Sequence, residues 1–256
     1  SVDIAKGYAN IAEFETGTLI SKNLYGTVPG STQKIPTLIA ALETIGEEKL
    51  LDKTYNCTGS YVNMNGQTIK CHKSEGHGEQ NITKAFANSC NPFYAQLVED
   101  SELPLDSIKK SFNSLGYSIN GEKKNYISID GINCETASTT LENSSDFDTQ
   151  WGCIGQGDTL VSPVQMILWN SAVVNETGRM TMPYLIDHIT NVKGKIIDRA
   201  ETKYSDSIFD ANTAEAAKKI MLENGKNYTE SISGYELGIK SGTAQVKNGE
   251  EENSLL

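Results

Sequence analysis

Apolar residues at positions 35, 38, 39, 42 and 45 recur at the i, i+3, i+4, i+7 spacing of a helix with a buried face. Pro29-Gly30 is a turn signal just ahead of this run, and Gly46 is a stop just after it. The pattern predicts a helix that opens around Ser31 and ends near Gly46. Further along, Asn81 or Thr83 starts a short helix that runs through Phe86 and Ala87 and stops at Asn88-Ser89-Cys90-Asn91. Pro92 then opens Phe93–Val98, as proline does in a first helical turn. Leu105, Ile108, Phe112 and Leu115 share one face of a helix that begins at Pro104 and ends before Gly116. Ser162-Pro163-Val164-Gln165 is a capping box ahead of a largely apolar helix through Val174, and Asn212–Leu222 is a helix with Gly225 past its end.

Alternation predicts the strands. Tyr61–Ile69 reads as a hairpin around Asn65-Gly66. Pro183–Ile189 and Lys195–Ile197 read as strands joined at Lys193-Gly194, and Tyr235–Val246 as a strand with small and polar residues along it. Ala12–Ile20 fits a short strand or an irregular arm, and 117–148 is polar and poorly periodic.

The first predicted helix carries unusual chemistry at its mouth. Ser31 and Lys34 are one turn apart and so share a side. An amine beside apolar surface loses its proton more easily, and a neutral amine in reach of a hydroxyl is the requirement for an activated nucleophile. The spacing alone does not decide this. Serine starts many helices, and Ser107-x-x-Lys110 repeats the pattern on an ordinary amphipathic helix. Ser89-x-Asn91 sits in a tight linker between two helices, but Ser-x-Asn also occurs at 21, 111 and 118. Lys240-Ser241-Gly242 is the rarest of the three signals, with an exposed strand lysine as its bland alternative. Trp151–Asp158 is glycine-dense but lacks the Lys-Ser/Thr of a phosphate loop.

Composition narrows the classes. A chain of 256 residues with 22 Lys and Arg against 33 Asp and Glu carries a net charge of −11, which argues against nucleic acid and a polybasic membrane patch. No apolar run approaches the roughly 18–20 residues that span a bilayer. Five cysteines leave at least one unpaired. Cys57 and Cys71 flank the predicted hairpin and are either a disulfide or two small buried thiols, and a zinc set of Cys57, Cys71, His72 and His77 matches no standard spacing. No cofactor and no metal is expected.

Ser31-x-x-Lys34, Ser89-x-Asn91 and Lys240-Ser241-Gly242, in that order, resemble the penicillin-binding protein transpeptidase family. Ile154-Gly155-Gln156-Gly157, Pro163-x-Gln165-Met166 and Thr243-Ala244-Gln245 extend the resemblance to the high-molecular-weight members, over roughly residues 20–246. It implies an α+β fold, with an antiparallel sheet flanked by helices and a helical subdomain at about 52–160 within one domain of 1–256. It implies a serine D,D-transpeptidase of peptidoglycan, or a D,D-carboxypeptidase, that acts on D-Ala-D-Ala stem peptides and is acylated by β-lactams. Ser31 is then the nucleophile and Lys34 the acceptor of its proton. Ser89 relays a proton to the leaving amine, and Asn91 holds the substrate amide and Lys34. Lys240 supplies positive potential for the substrate carboxylate, with Ser241, Gly242 and Thr243 in the binding strand. The backbone N–H groups of Ser31 and Thr243 form the oxyanion hole. Partners in cell-wall synthesis and a place on the extracytoplasmic face of the bacterial membrane follow, with the anchor outside this chain. A β-lactam sensor domain, a β-lactamase and a catalytically silent scaffold are the alternatives. The ends depart from the family. Phe14-Glu15-Thr16-Gly17 matches its early strand poorly, and the chain stops at Leu256, about where the next strand should begin. A chain trimmed at both ends, lacking terminal strands, is the expectation.

Overall fold

The computed structural model describes residues 22–228, 232, 234–246 and 251–255. The expected arm at Ala12–Ile20 and the Phe14–Gly17 stretch lie outside them.

Helix α1, Lys34–Ile45, continues a single 3-10 turn, Gly30–Gln33, and Gly46 ends it at φ +87. The pattern predicted one buried face, yet ten of its 12 residues are buried, so it is a core helix and not a surface one. Small residues on the other faces explain this. Thr37, Ala40 and Ala41 let neighbours come close, and Thr37 Oγ1 donates to the Cys153 carbonyl at 2.7 Å. Around α1 pack the helices Leu105–Ser114, Phe147–Ile154 and Ala211–Gly225.

The local stop and start signals hold. Helix α2, Glu47–Asp52, follows Gly46 directly. The Asn81 side chain accepts from Lys84 N–H and caps α3, Ile82–Ala87. Pro92 lies in the first turn of α4, Asn91–Glu99. Pro104 precedes α5, Leu105–Ser114. After α6, Phe147–Ile154, Ser162 Oγ accepts from Gln165 N–H at 3.1 Å at the head of α7, Pro163–Val174. The last helix, α8, is Ala211–Gly225 and takes in Gly225, which was expected just beyond it. Phe86, Phe93, Tyr94 and Leu97 on α3 and α4 are fully buried. Burial of Phe86, Phe93 and Leu97 contributes roughly 1.5–3 kcal/mol each to holding that pair of helices together.

Helices α3 to α6 fall within 52–160, and so do short ladders. Thr54–Cys57 pairs antiparallel with Gly78–Asn81, and the expected hairpin joins Ser60–Val62 to Thr68–Lys70. Tyr117–Ile119 runs parallel to Ala137–Thr139 in a three-stranded sheet completed by Leu160–Val161, and Tyr126–Ile129 pairs with Ile132–Glu135. Outside the hairpin, which Asn65-Gly66 marks, these strands are two to four residues long, too short to show a period in the sequence.

The strands in the second half of the chain depart from the expected ones. His188–Thr190 pairs with Ile196–Arg199 around the 191–194 turn, whereas 183–187 is in no strand. Arg179–Met182, which was not expected as a strand, pairs with Lys203–Ser207; Met180 and Met182 alternate along it, and Met180 packs against the core. Of Tyr235–Val246, only Gly242–Val246 is a strand. The residues before it are tied to α8 instead, by Ile239 N–H to Met221 O at 3.2 Å and Asn224 Nδ2 to Ile239 O at 2.6 Å. The next strand also lies within the chain: Glu251–Leu255 pairs antiparallel with Gly242–Val246, from Gly242 opposite Leu255 to Val246 opposite Glu251.

Candidate active site

The N-terminus of α1 aims Lys34 into the gap between α3, α4 and the start of the Gly242–Val246 strand. The Lys34 side chain is fully buried. Its Nζ lies 3.0 Å from Ser31 Oγ, 2.8 Å from the Ser89 carbonyl, 3.1 Å from Ser89 Oγ and 2.7 Å from Asn91 Oδ1. It also sits 5.5 Å above the Tyr94 ring. Loss of water pushes its pKa well below the ordinary lysine value, and the nearby Lys240 charge pushes the same way.

Ser89 is held at φ +51, a region that non-glycine residues rarely enter. That turn presents both its carbonyl and its hydroxyl to Lys34. The hydroxyl is shared: Lys240 Nζ lies 3.0 Å from Ser89 Oγ and donates to Ser241 O at 2.7 Å. Lys240 is buried too, 5.8 Å from the Phe86 ring, and burial brings its pKa down to about 8. Asn91 Nδ2 donates to Lys70 O at 3.2 Å, which fixes the amide so that Oδ1 faces Lys34.

The strand closes the site from the other side. A Cβ on Gly242 would lie 2.9 Å from Pro29 O and 3.1 Å from Thr32 N, so only glycine lets the strand pass this close to the Ser31 turn. Gly30, at φ +56, makes the reciprocal approach, since its Cβ would lie 2.7 Å from Thr243 O. Ser241 Oγ takes a 3.4 Å contact from Tyr228 OH, and Gln156 Nε2 donates to Thr243 O at 3.2 Å. A cleft of about 620 Å³ opens over these groups, and Ser31, Ser89, Asn91, Ser241 and Thr243 line it.

All eight residues expected at the site therefore converge: Ser31, Lys34, Ser89, Asn91, Lys240, Ser241, Gly242 and Thr243. The decoy Ser107-x-x-Lys110 lies on α5 with Lys110 exposed. Gln156, Tyr228, Phe147 and Trp151 also border the site, though none was named among its expected residues. Gln156 was visible in the glycine-dense stretch. For Tyr228 there was no signal.

A serine, two buried amines and an amide around one cleft suit acyl transfer, and the family match agrees. The penicillin binding protein transpeptidase domain family matches residues 16–255. The chain belongs to that family. Among curated proteins this transpeptidase-domain chain is similar to stage V sporulation protein D of Bacillus subtilis, with 29% identity over 239 residues. That alignment takes in 89% of this chain and 35% of the relative, so the chain spans about a third of that protein's length. Its fold is that of the D,D-transpeptidase domain of a peptidoglycan glycosyltransferase from Eggerthella lenta, at TM-score 0.75 and 21% identity, over 95% of this chain and 60% of the other. Penicillin-binding protein A of Mycobacterium tuberculosis, solved as a ceftriaxone acyl-enzyme complex, matches at TM-score 0.73 and 17% identity, over 95% of this chain and 54% of the other. Transpeptidase domains of this family act on peptidoglycan outside the cytoplasm. Among the described residues no helix is long and apolar enough to cross a membrane.

Proposed function

We propose that this domain is a peptidoglycan D,D-transpeptidase that acylates Ser31 with D-Ala-D-Ala stem peptides and is acylated there by β-lactams. The observation that carries this is the hydrogen-bond count at Lys34. Its two shortest partners, the Ser89 carbonyl and Asn91 Oδ1, can only accept. A neutral amine has two N–H groups for them and one lone pair left. The remaining neighbours are the hydroxyls of Ser31 and Ser89, both able to donate to that lone pair. The burial that lowers the Lys34 pKa favours this neutral form.

Ser31 Oγ attacks the carbonyl of the penultimate D-alanine, and its proton passes to Lys34 Nζ. The C–N bond to the last D-alanine breaks. Ser89 Oγ, between the two lysines, carries a proton to the departing amine, and Lys240 holds the terminal carboxylate with Ser241 and Thr243. Backbone N–H groups of Ser31 and Thr243 take the oxyanion; losing one such donor costs about 3–4 kcal/mol of barrier. An acceptor amine then displaces Ser31, returning its proton. The domain works on the extracytoplasmic face of the membrane, with cell-wall synthesis proteins as partners.

Incubating the chain with a stem peptide ending in D-Ala-D-Ala and an acceptor amine is expected to release D-alanine and form the new amide, both seen by chromatography. Release with water as sole acceptor assigns the carboxypeptidase. A stable β-lactam adduct without any D-alanine release from peptide would overturn the turnover claim in favour of a sensor or a silent scaffold.

A further inference from the structure

One side-chain cluster beside the cleft plays no part in this chemistry. Cys57, Cys71, His77 and Cys90 bring three sulfurs and one imidazole nitrogen together, each within 4.8 Å of every other. Cys57 and Cys90 are buried, Cys71 and His77 half-buried, and all five cysteines of the chain are free thiols. His77 Nδ1 lies 3.4 Å from Cys71 Sγ and 3.9 Å from Cys57 Sγ. A tetrahedral zinc with Zn–S of about 2.3 Å and Zn–N of about 2.0–2.1 Å sets its S···N edges near 3.6 Å and its S···S edges near 3.8 Å. The cluster is therefore within about 1 Å of a closed coordination shell.

The surrounding fold holds these donors in place. Cys57 ends the strand Thr54–Cys57, opposite Gly78, and its carbonyl accepts from His77 N–H at 3.0 Å. Cys71 follows the strand Thr68–Lys70, and its N–H donates to Gly59 O at 2.9 Å. Gly59 and Gly76 have φ of +96 and +82, and a Cβ on either would collide with the facing backbone. That close approach folds the 71–77 loop back onto Cys57. Cys90 comes from the opposite side, out of the Ser89–Asn91 turn, with its N–H bonded to Ala85 O at 3.0 Å. The set differs from the one weighed in the sequence, Cys57, Cys71, His72 and His77, where no metal was expected. Cys90 takes the place of His72, which falls outside the group of donors that all lie within 4.8 Å of one another.

We propose that Cys57, Cys71, His77 and Cys90 bind one zinc ion that fastens the Ser89–Asn91 turn to the two loops behind the catalytic cleft. Three thiolates and one imidazole are a closed, structural zinc set, with no position open for substrate. Small buried thiols would explain Cys57 and Cys90 alone. They do not explain a half-buried imidazole and a third sulfur aimed at the same point. Cys90 is the residue between Ser89 and Asn91, which hold Lys34 together with Ser31, so the metal acts on the reaction by positioning those two partners. The metal claim stands apart from the acyl-transfer reading; only its effect on rate rests on it.

The chain, purified with its thiols reduced and without chelators, is expected to hold one zinc per molecule by native mass spectrometry and elemental analysis. Cobalt put in its place should show thiolate-to-cobalt charge transfer and tetrahedral d–d bands. Iodoacetamide should spare Cys57, Cys71 and Cys90 until a chelator is added, a readout that needs no variant. Cys90→Ser should lose the metal, whereas Cys153→Ala should keep it. Stripping the metal should slow β-lactam acylation by about 10–100-fold, the usual effect of losing an orienting contact. A chain that binds neither zinc nor cobalt, zinc content unchanged in Cys90→Ser, or a native disulfide among these cysteines would each overturn the site. Zinc bound with no acylation at all would count against the acyl-transfer reading and leave the metal site standing.

Discussion

Lys34→Met is expected to lower the second-order rate of β-lactam acylation by about 10²–10⁴-fold, the range that a positioned base supplies. Methionine keeps most of the length and the apolar stem, but its thioether sulfur is far too weak a base to take the Ser31 proton. It also strips the Ser89 carbonyl and Asn91 Oδ1 of their donor, so the turn loosens. The fold should survive. The Lys34 pKa is lowered on folding, so the unfolded chain holds more protons at this position below the ordinary lysine range. Burying it therefore costs stability at neutral pH, a cost that shrinks as pH rises and that methionine removes. Stopped-flow acylation beside thermal melting separates the two effects. A variant that acylates at the wild-type rate would place the base elsewhere.

The second large effect falls on stability. Gly155 ends α6 at φ +102, and a Cβ there would overlap the Gly30 carbonyl and crowd Gln33 Cβ at 2.6 Å. Gly155→Ala meets the left-handed penalty of about 1–2 kcal/mol and an overpacking cost of about 1–3 kcal/mol. The sum, about 2–5 kcal/mol, lowers the melting temperature by roughly 4–20 °C at this chain length. Gly46→Ala is the control. Gly46 has φ +87, but nothing lies within 4 Å of its Cβ position, so only the conformational part applies. Because Gly30 precedes the nucleophile, Gly155→Ala should also slow acylation, and Gly46→Ala should not. Equal melting temperatures for the two variants would show that the close approach at Gly30 carries no weight.

These two residues also show what the sequence could and could not say. Helix caps were legible because they are local: Asn81, Ser162 and Pro92 act within one turn of their own position. The site was legible only through resemblance. Ser31-x-x-Lys34 and Ser107-x-x-Lys110 have the same spacing, and what separates them is the burial of Lys34 under α3 and α4, which no local window contains. Glycine density at 154–157 was plain, but its purpose was not. It is the contact between Gly155 and Gly30, 125 positions apart, that requires it. Cys90 read as part of a linker, because its neighbours Cys57 and Cys71 reach it only after Thr54–Cys57 pairs with Gly78–Asn81. The segment before Gly242 alternates well enough to suggest a strand, yet its backbone bonds to Met221 and Asn224 on α8.

The central claim is that Ser31 is the one hydroxyl made nucleophilic by a buried, neutral lysine. Peptide mapping by mass spectrometry after brief exposure of the folded chain to penicillin tests it most directly. A single acyl adduct on the peptide that carries Ser31, absent from Ser31→Ala, is the expected result. An adduct on any other residue, or the same labelling in Ser31→Ala, would contradict it.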